Sequence, residues 1–421
     1  MTTPVPHAGA AGASSPEPSA VGSGRKLVVL MITAFMDMLG LLMVIPILPF
    51  IATDLGANAT VVTLLVASFS VAQLVSSPLW GRFSDRYGRR PALLVGLFAS
   101  AAAYLVFAFA DSLWLLFLSR IVQGAGGGTV SVIQAYVADA TRPEDRAKSL
   151  GWLSAATNLG VTIGPVIGSA SMAAGRAGPG LVAAGLCALN MIFAWYFLTE
   201  THDVTARAGG KAPRRSMEAV RRVLSHPGEA ASRLIWIYAI AMGAFQAVTA
   251  ILALFLMHRF AVTENTIGFF FTYIGGLSVL ARALILGRMV DHFGEARLSR
   301  IGTLLLATGL LALPFARDYV TLAIAVALLP LGTAFTFPCV TALLSRVIGS
   351  HERGLYMGVQ QTFGGITRAS FPILAGYAFD NFGMRVPFYV GAALVAGTLV
   401  LSAGLDDHAG PRAEAVGGNK R

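Results

Sequence analysis

Charge is what this sequence has least of. Only 12% of its 421 residues are Asp, Glu, Lys or Arg, against about a quarter in a soluble domain. Hydrophobic residues make up 55%, and the mean hydropathy is +0.69. Such a chain cannot cover a water-facing surface, so a soluble globular fold is excluded and lipid becomes the solvent that suits it. Cysteine is nearly absent. Cys187 and Cys339 both fall within apolar runs, so neither a disulfide nor a metal site is expected, and both read as small packing residues. Also missing are G-x-S-x-G, a cluster of zinc ligands and the phosphate loop G-x-x-x-x-G-K-[ST]. Their absence leaves no footing for an enzyme or for a pump driven directly by ATP. No cofactor is expected, and energy must come from an ion gradient or from a solute's own gradient.

Long apolar runs are what the sequence has instead. About twelve are each long enough to cross roughly 30 Å of hydrocarbon at 1.5 Å per residue. They cover 27–51, 61–81, 91–111, 113–139, 147–174, 179–199, 234–258, 267–287, 299–316, 319–344, 354–380 and 386–405. The runs are continuous and do not alternate with period two, which excludes a β-barrel and predicts an all-α membrane protein. The net charge of +10 could suggest a nucleic-acid partner, but its placement argues otherwise. Roughly 24 Lys and Arg fall on the side of the termini and the even-to-odd loops, against Arg176, Arg259, Arg317 and Arg385 on the other. Basic charge therefore encodes topology, with both termini cytoplasmic, and no nucleic-acid binding is expected.

Residues 1–24, rich in Ala, Gly, Ser and Pro and without a basic start, read as a disordered cytoplasmic tail and not as a signal peptide. A six-helix bundle is expected over 25–199, a polar cytoplasmic linker over 200–233, a second six-helix bundle over 234–405 and a tail over 406–421. Within the linker, the stretch from Ser216 to Ser225 has helical apolar spacing flanked by Arg221 and Arg222. It suits a short helix on an anionic inner leaflet or a plain basic tether.

The two halves look like divergent copies. Gly81-Arg-Phe-Ser-Asp-Arg-Tyr-Gly-Arg-Arg-Pro follows the second run and Gly287-Arg-Met-Val-Asp-His-Phe-Gly-Glu follows the eighth, sharing G-R-x-x-D-x-[aromatic]-G. Two such repeats with a site between them near the midplane form a transporter architecture. The first copy matches G-x-x-x-D-R-x-G-R-R, the signature of the major facilitator superfamily, at every specified position, and the chain resembles that family. The resemblance implies twelve helices in two pseudo-symmetric six-helix bundles. It also implies a gate built from Gly81, Asp85, Arg86, Gly88, Arg89 and Asp139: Asp85 would meet the start of the eleventh helix near Gly354, and Arg89 would pair with Asp139 at the end of the fourth. In the second copy Glu295 stands where a basic residue is usual, so a weaker gate is expected there.

Three further motifs refine the resemblance. In the fourth run, Arg120-Ile-Val-Gln123-Gly124 resembles the R-x-x-Q-G motif associated with proton coupling; an ionisable group about 10 Å inside a helix is costly unless it is paired or hydrated. In the fifth, Gly160, Gly164, Pro165 and Gly168 resemble the antiporter signature G-x-x-x-G-P-x-x-G-G, with Ser169 in place of its last glycine. Such glycines form a groove on which another helix can rock, and the proline bends it. In the first, Asp37 with Pro46 and Pro49 resembles the first helix of drug/proton and tetracycline/proton antiporters. Every other acidic residue falls in a loop, a tail or at a helix end. Asp37 is thus the one candidate for a deep carboxylate, its protonation pulled in opposite senses by desolvation and by a cation such as Arg120.

The resemblance is loose in the second half. Gln360, Gln361 and Arg368 are polar at bilayer depth, and Phe245, Gln246, Phe335 and Phe337 offer ring and amide contacts, a set that suits an amphiphilic ligand with few polar anchors. Arg282 is near enough to a helix end to snorkel. Tetracycline exporters also carry an acidic residue in the ninth helix, whereas 301–315 has none here. The expectation is a monomeric proton-coupled antiporter in a plasma or inner membrane, exporting a small amphiphilic compound by alternating access, as in multidrug efflux and antibiotic resistance. Its expected partners are the small-molecule substrate, protons and the lipid bilayer. The alternatives are a transporter of organic anions or metabolites, since Arg120, Arg282 and Arg368 outnumber the deep carboxylate, and a receptor without turnover.

Overall fold

The computed structural model describes residues 20–142, 144–200, 213–349 and 351–405. Among these there is no strand, and twelve helical spans cross the molecule. The first half has α1 (Ala20–Val44, resumed as Leu48–Asp54), α2 (Ala59–Tyr87), α3 (Arg89–Ala108), α4 (Leu113–Gly126, resumed as Thr129–Ala140), α5 (Arg146–Ser171) and α6 (Gly178–Phe197). The second has α7 (Ala230–Phe260), α8 (Ile267–Leu280, through a π turn at Ala281–Ile285 into Leu286–Phe293), α9 (Glu295–Ala312), α10 (Tyr319–Val347), α11 (Arg353–Phe382) and α12 (Val386–Leu401). Ten spans are long and apolar enough to cross a bilayer on their own. α11 misses that hydropathy because Gln360, Gln361, Thr362, Thr367 and Arg368 lie along it, and α12 is short, at 16 residues.

Local chemistry sets the breaks. α1 stops at Val44 because Pro46 has no N–H to continue the ladder, and it restarts with Pro49 in its first turn. α4 breaks at Gly127 and Gly128, where the chain has little to hold a helix. At the start of α10 the Asp318 side chain accepts from the backbone of Thr321 and Val320, and those bonds, Thr321 first, hold its carboxyl below the usual range. α1 begins at Ala20, inside the stretch expected as tail; residues 1–19, 201–212 and 406–421 lie outside the described residues.

The outer surface fits lipid. Val75, Phe98, Leu105, Ile121, Leu189, Leu284 and Leu374 are exposed around its middle. Trp114 and Tyr319 are exposed at one end and Tyr87, Trp195 and Tyr196 at the other, as aromatic girdles require. The end carrying Arg82, Arg86, Arg89 and Arg90 is called the basic end below. The linker helix, Pro213–Ser225, packs there against α7 and α11. Ala219 and Val223 are buried in one cluster with Leu234, Ile235 and Tyr356, so protein covers the face that the sequence offered to a leaflet.

Contacts between the halves are uneven along the molecule. Among the described residues, every hydrogen bond between the halves lies toward the end opposite the basic one. Asp380 of α11 accepts from the backbone N–H of Ala59 (3.0 Å) and Thr60 (2.7 Å) and from the Thr60 hydroxyl (2.6 Å), capping α2 from across the interface. Ser169 of α5 donates to the Glu264 carbonyl (2.8 Å) and accepts from the Gly268 N–H (2.9 Å). Thr272 donates to the Thr162 carbonyl at 2.8 Å. The halves are thus joined at that end and parted at the basic end.

Candidate functional site

Asp37 lies at the middle of α1 and is 6% exposed, the one buried Asp or Glu among the described residues. Its Oδ2 accepts from the Thr129 hydroxyl at 2.8 Å. The break in α4 makes this possible, because Thr129 opens the resumed helix and presents its positive end to the carboxylate. Gln123 donates to the Tyr104 hydroxyl at 2.6 Å, and Tyr104 packs on Gly40, one turn from Asp37. Asp37, Gln73, Ser100, Tyr104, Gln123 and Thr129 line a cavity of about 20 Å³, the room one water needs when polar partners surround it.

Arg120 is 1% exposed, but its guanidinium is not paired with Asp37. It bonds the neighbouring Ser119 hydroxyl from Nε (3.3 Å) and Nη2 (3.2 Å) and lies 5.2 Å from the Phe107 ring centre. Arg120, expected as a cation that could stabilise an ionised Asp37, makes this local arrangement in the present state, with Tyr104 near both charges.

The glycines of α5 form a seam against α1. A Cβ at Gly160 would fall 2.5 Å from the Phe35 carbonyl oxygen, at Gly164 2.7 Å from that of Leu39, and at Gly168 2.2 Å from that of Met43. Backbone cannot yield as a side chain can, so only glycine fits. Pro165 faces the other half, its carbonyl against Gly268. Ser169, which departs from the motif, bonds α5 to the start of α8, as Thr162 does further along the helix.

At the basic end, Arg89 donates from Nη1 to Asp85 (2.7 Å) and from Nε to Asp139 (3.1 Å). Gly88 turns the chain between α2 and α3 with φ +101°, and a Cβ there would lie 2.4 Å from a Glu200 carboxylate oxygen. That carboxylate accepts from the N–H of Arg89 and Arg90, both at 3.0 Å, and caps α3. Arg86 stacks over Tyr87, and Gly81 faces open space. The expected meeting of Asp85 with the start of α11 is not made, because the halves are parted here and a side chain at Gly354 would meet nothing within 4 Å. The second copy keeps the joint with its charges exchanged. Gly294 turns with φ +77°, and Glu295 at the start of α9 accepts from Arg346 at the end of α10, at 2.7 Å.

A larger cavity of about 300 Å³ lies between α2 and α11, lined by Ser70, Gln73, Ser77, Gln361, Thr362 and Arg368 among others. Gln73, held by the Gly127 carbonyl at 3.1 Å, lines both cavities and joins them. Gln361 and Arg368 are thus brought together, but the other second-half candidates lie elsewhere. Gln360 is fully buried and accepts from Thr341, and Phe335 is buried between α9 and α10. Phe337 packs on Tyr238, while Phe245 and Gln246 are half-buried on α7. Sequence reasoning missed Gln73, Tyr104 and Thr129. Gln73 was signalled by an amide in mid-span, but the other two had no sign of their own.

The sequence model of the Major Facilitator Superfamily matches residues 30–281 and again 234–419, together nearly the whole chain. The chain belongs to the major facilitator superfamily. It is a multi-pass membrane transporter and not an enzyme. It is similar to the class C tetracycline resistance protein of Escherichia coli, 30% identical over 88% of this chain and 95% of that one. It is also similar to multidrug resistance protein 1 of Bacillus subtilis, 28% identical over 88% and 93%. In fold it resembles the human organic anion transporter MFSD10, with a TM-score of 0.67 and 24% identity over 90% of this chain and 99% of that one.

Proposed function

We propose that this superfamily member is a proton-coupled antiporter that exports small amphiphilic compounds, with both termini in the cytoplasm and the basic end open to it. The observation that carries the reading is the lone deep carboxylate, Asp37, at a one-water cavity that shares Gln73 with a larger cavity between the halves. A carboxylate in low dielectric holds its charge only while donors or water compensate it. Thr129 is the donor in this state. Rocking of the halves about the contact of α5 with α8, at Pro165 and Ser169, would change the water reaching Asp37, so proton uptake and solute release would alternate across one path. The names of the tetracycline and multidrug resistance relatives support export of drug-like amphiphiles. Because both cavities are built within one chain, a monomer suffices as the transporting unit.

The test is Asp37→Asn in proteoliposomes with an imposed pH gradient. Gradient-driven transport is expected to fall at least a hundredfold while the thermal unfolding midpoint stays within a few degrees. Robust gradient-driven transport by the variant would overturn the role of Asp37.

A further inference from the structure

The cavity between α2 and α11 is chemically one-sided. Ser70, Ser77 and Thr362 bring hydroxyls to it and Gln73 and Gln361 bring amides, but among the described residues Arg368 is the only charged side chain that lines it and no carboxylate does. The Nε of Arg368 is buried without a hydrogen-bond partner. Next to this wall, Gln361 reaches the Tyr238 hydroxyl at 3.5 Å, and Arg282 lies within electrostatic reach of the same tyrosine. Arg282 is half-buried, and its Nε is also buried without a partner. It sits in the π turn Ala281–Ile285, which shifts the helix register by one residue, a feature that recurs at functional sites. Among the described residues, two half-buried arginines therefore each hold a buried Nε without a partner and make no ion pair, an arrangement that suits receipt of an anion. The one buried carboxylate among the described residues, Asp37, is on the other half and bonded to Thr129.

We infer that the transported compound carries an anionic group, a carboxylate or sulfonate on an apolar ring body, which Arg368 receives in this cavity with Arg282 as a second positive charge. The planar guanidinium matches such a group with two parallel donors, as an ammonium cannot. The cavity volume lies at the low end of the roughly 300–1,000 Å³ usual for ligand sites, so it fits the charged portion of a drug-sized molecule. The inference rests on the antiport reading and adds a charge balance to it. One proton moving in while one monoanion moves out carries two positive charges inward, whereas exchange of a proton for a monocation carries none. Export would therefore respond to membrane potential as well as to the pH gradient.

The test uses two dyes that share a fused-ring body and differ in the sign of their charge, fluorescein and rhodamine 6G. Their binding to the full-length protein is followed by fluorescence anisotropy. The wild type is expected to prefer fluorescein, Arg368→Gln to weaken it at least tenfold, Arg282→Gln to weaken it less, and Arg368→Lys to recover part of the loss. Rhodamine 6G should bind no worse to either Gln variant. A preference for rhodamine 6G in the wild type, or fluorescein affinity unchanged by Arg368→Gln, would overturn the inference. Gradient-driven movement of rhodamine 6G without Arg368-dependent anion binding would also overturn it and leave the antiport reading standing. Arg368-dependent fluorescein binding without gradient-driven movement would uphold the anion site and overturn antiport instead.

Discussion

Gln73 forms the wall between the place where a proton would reside and the place where a solute would bind. Its amide is fixed by the Gly127 carbonyl at the break of α4, so a change of packing at that break reaches both cavities through one side chain. Gln73→Leu keeps most of the volume and removes the amide. The expected result is separation of binding from coupling: equilibrium binding of a transported dye within about threefold of wild type, and gradient-driven transport reduced at least tenfold, or about 1.4 kcal/mol. Equal loss of both would show that Gln73 serves only the fit of the solute. Asp37 itself was legible in the sequence, because a lone acid in a long apolar run has no bland explanation. Thr129 and Tyr104 were not, since threonine and tyrosine are ordinary in such runs, and only the folded break at Gly127 and Gly128 aims Thr129 at the carboxylate.

Elements were read more easily than their joints. Twelve apolar runs announce twelve spans, and the glycine spacing of α5 announces a close helix neighbour without naming it. The neighbour is α1 on one face and α8 on the other. The π turn in α8 left no trace in hydropathy, because one extra residue per turn does not alter composition. The exchanged pair at the second loop shows what a single-residue comparison misses. Glu295 looked like a lost basic residue until Arg346 was seen to carry the charge from the other side. Glu295 is 11% and Arg346 56% exposed at the side chain, so screening limits the pair to about 0.5–1 kcal/mol. Glu295→Arg alone should lower the thermal unfolding midpoint by setting two guanidinium groups together. Adding Arg346→Glu should restore most of the loss, as the first half's own polarity at Arg89 and Asp139 suggests. A double variant no more stable than the single one would mean that the pair is incidental to the joint.

The whole molecule is held closed at one end and open at the other, and different carboxylates guard the two ends. Asp380 accepts three hydrogen bonds across the halves at the end opposite the basic one, which favours the present state. Asp85 makes its bond to Arg89 within one half, so the present state draws no inter-half energy from it. A closed basic end would bring the start of α11 within its reach, and its charge would then stabilise that other state by interaction with the helix N-terminus. The two acids should therefore bias one equilibrium in opposite directions. Distances between spin labels across the basic mouth measure the populations directly. Asp380→Asn is expected to raise the fraction closed at that mouth, and Asp85→Asn to lower it, each tenfold change in ratio corresponding to about 1.4 kcal/mol. The sites lie at opposite ends with no shared partner, so their effects should add, and the double variant should return toward the wild-type ratio. If Asp85→Asn leaves the ratio unchanged while Asp380→Asn shifts it, the loop from Gly81 to Arg90 fixes the α2–α3 turn alone, and control of the equilibrium rests with the latch at Asp380.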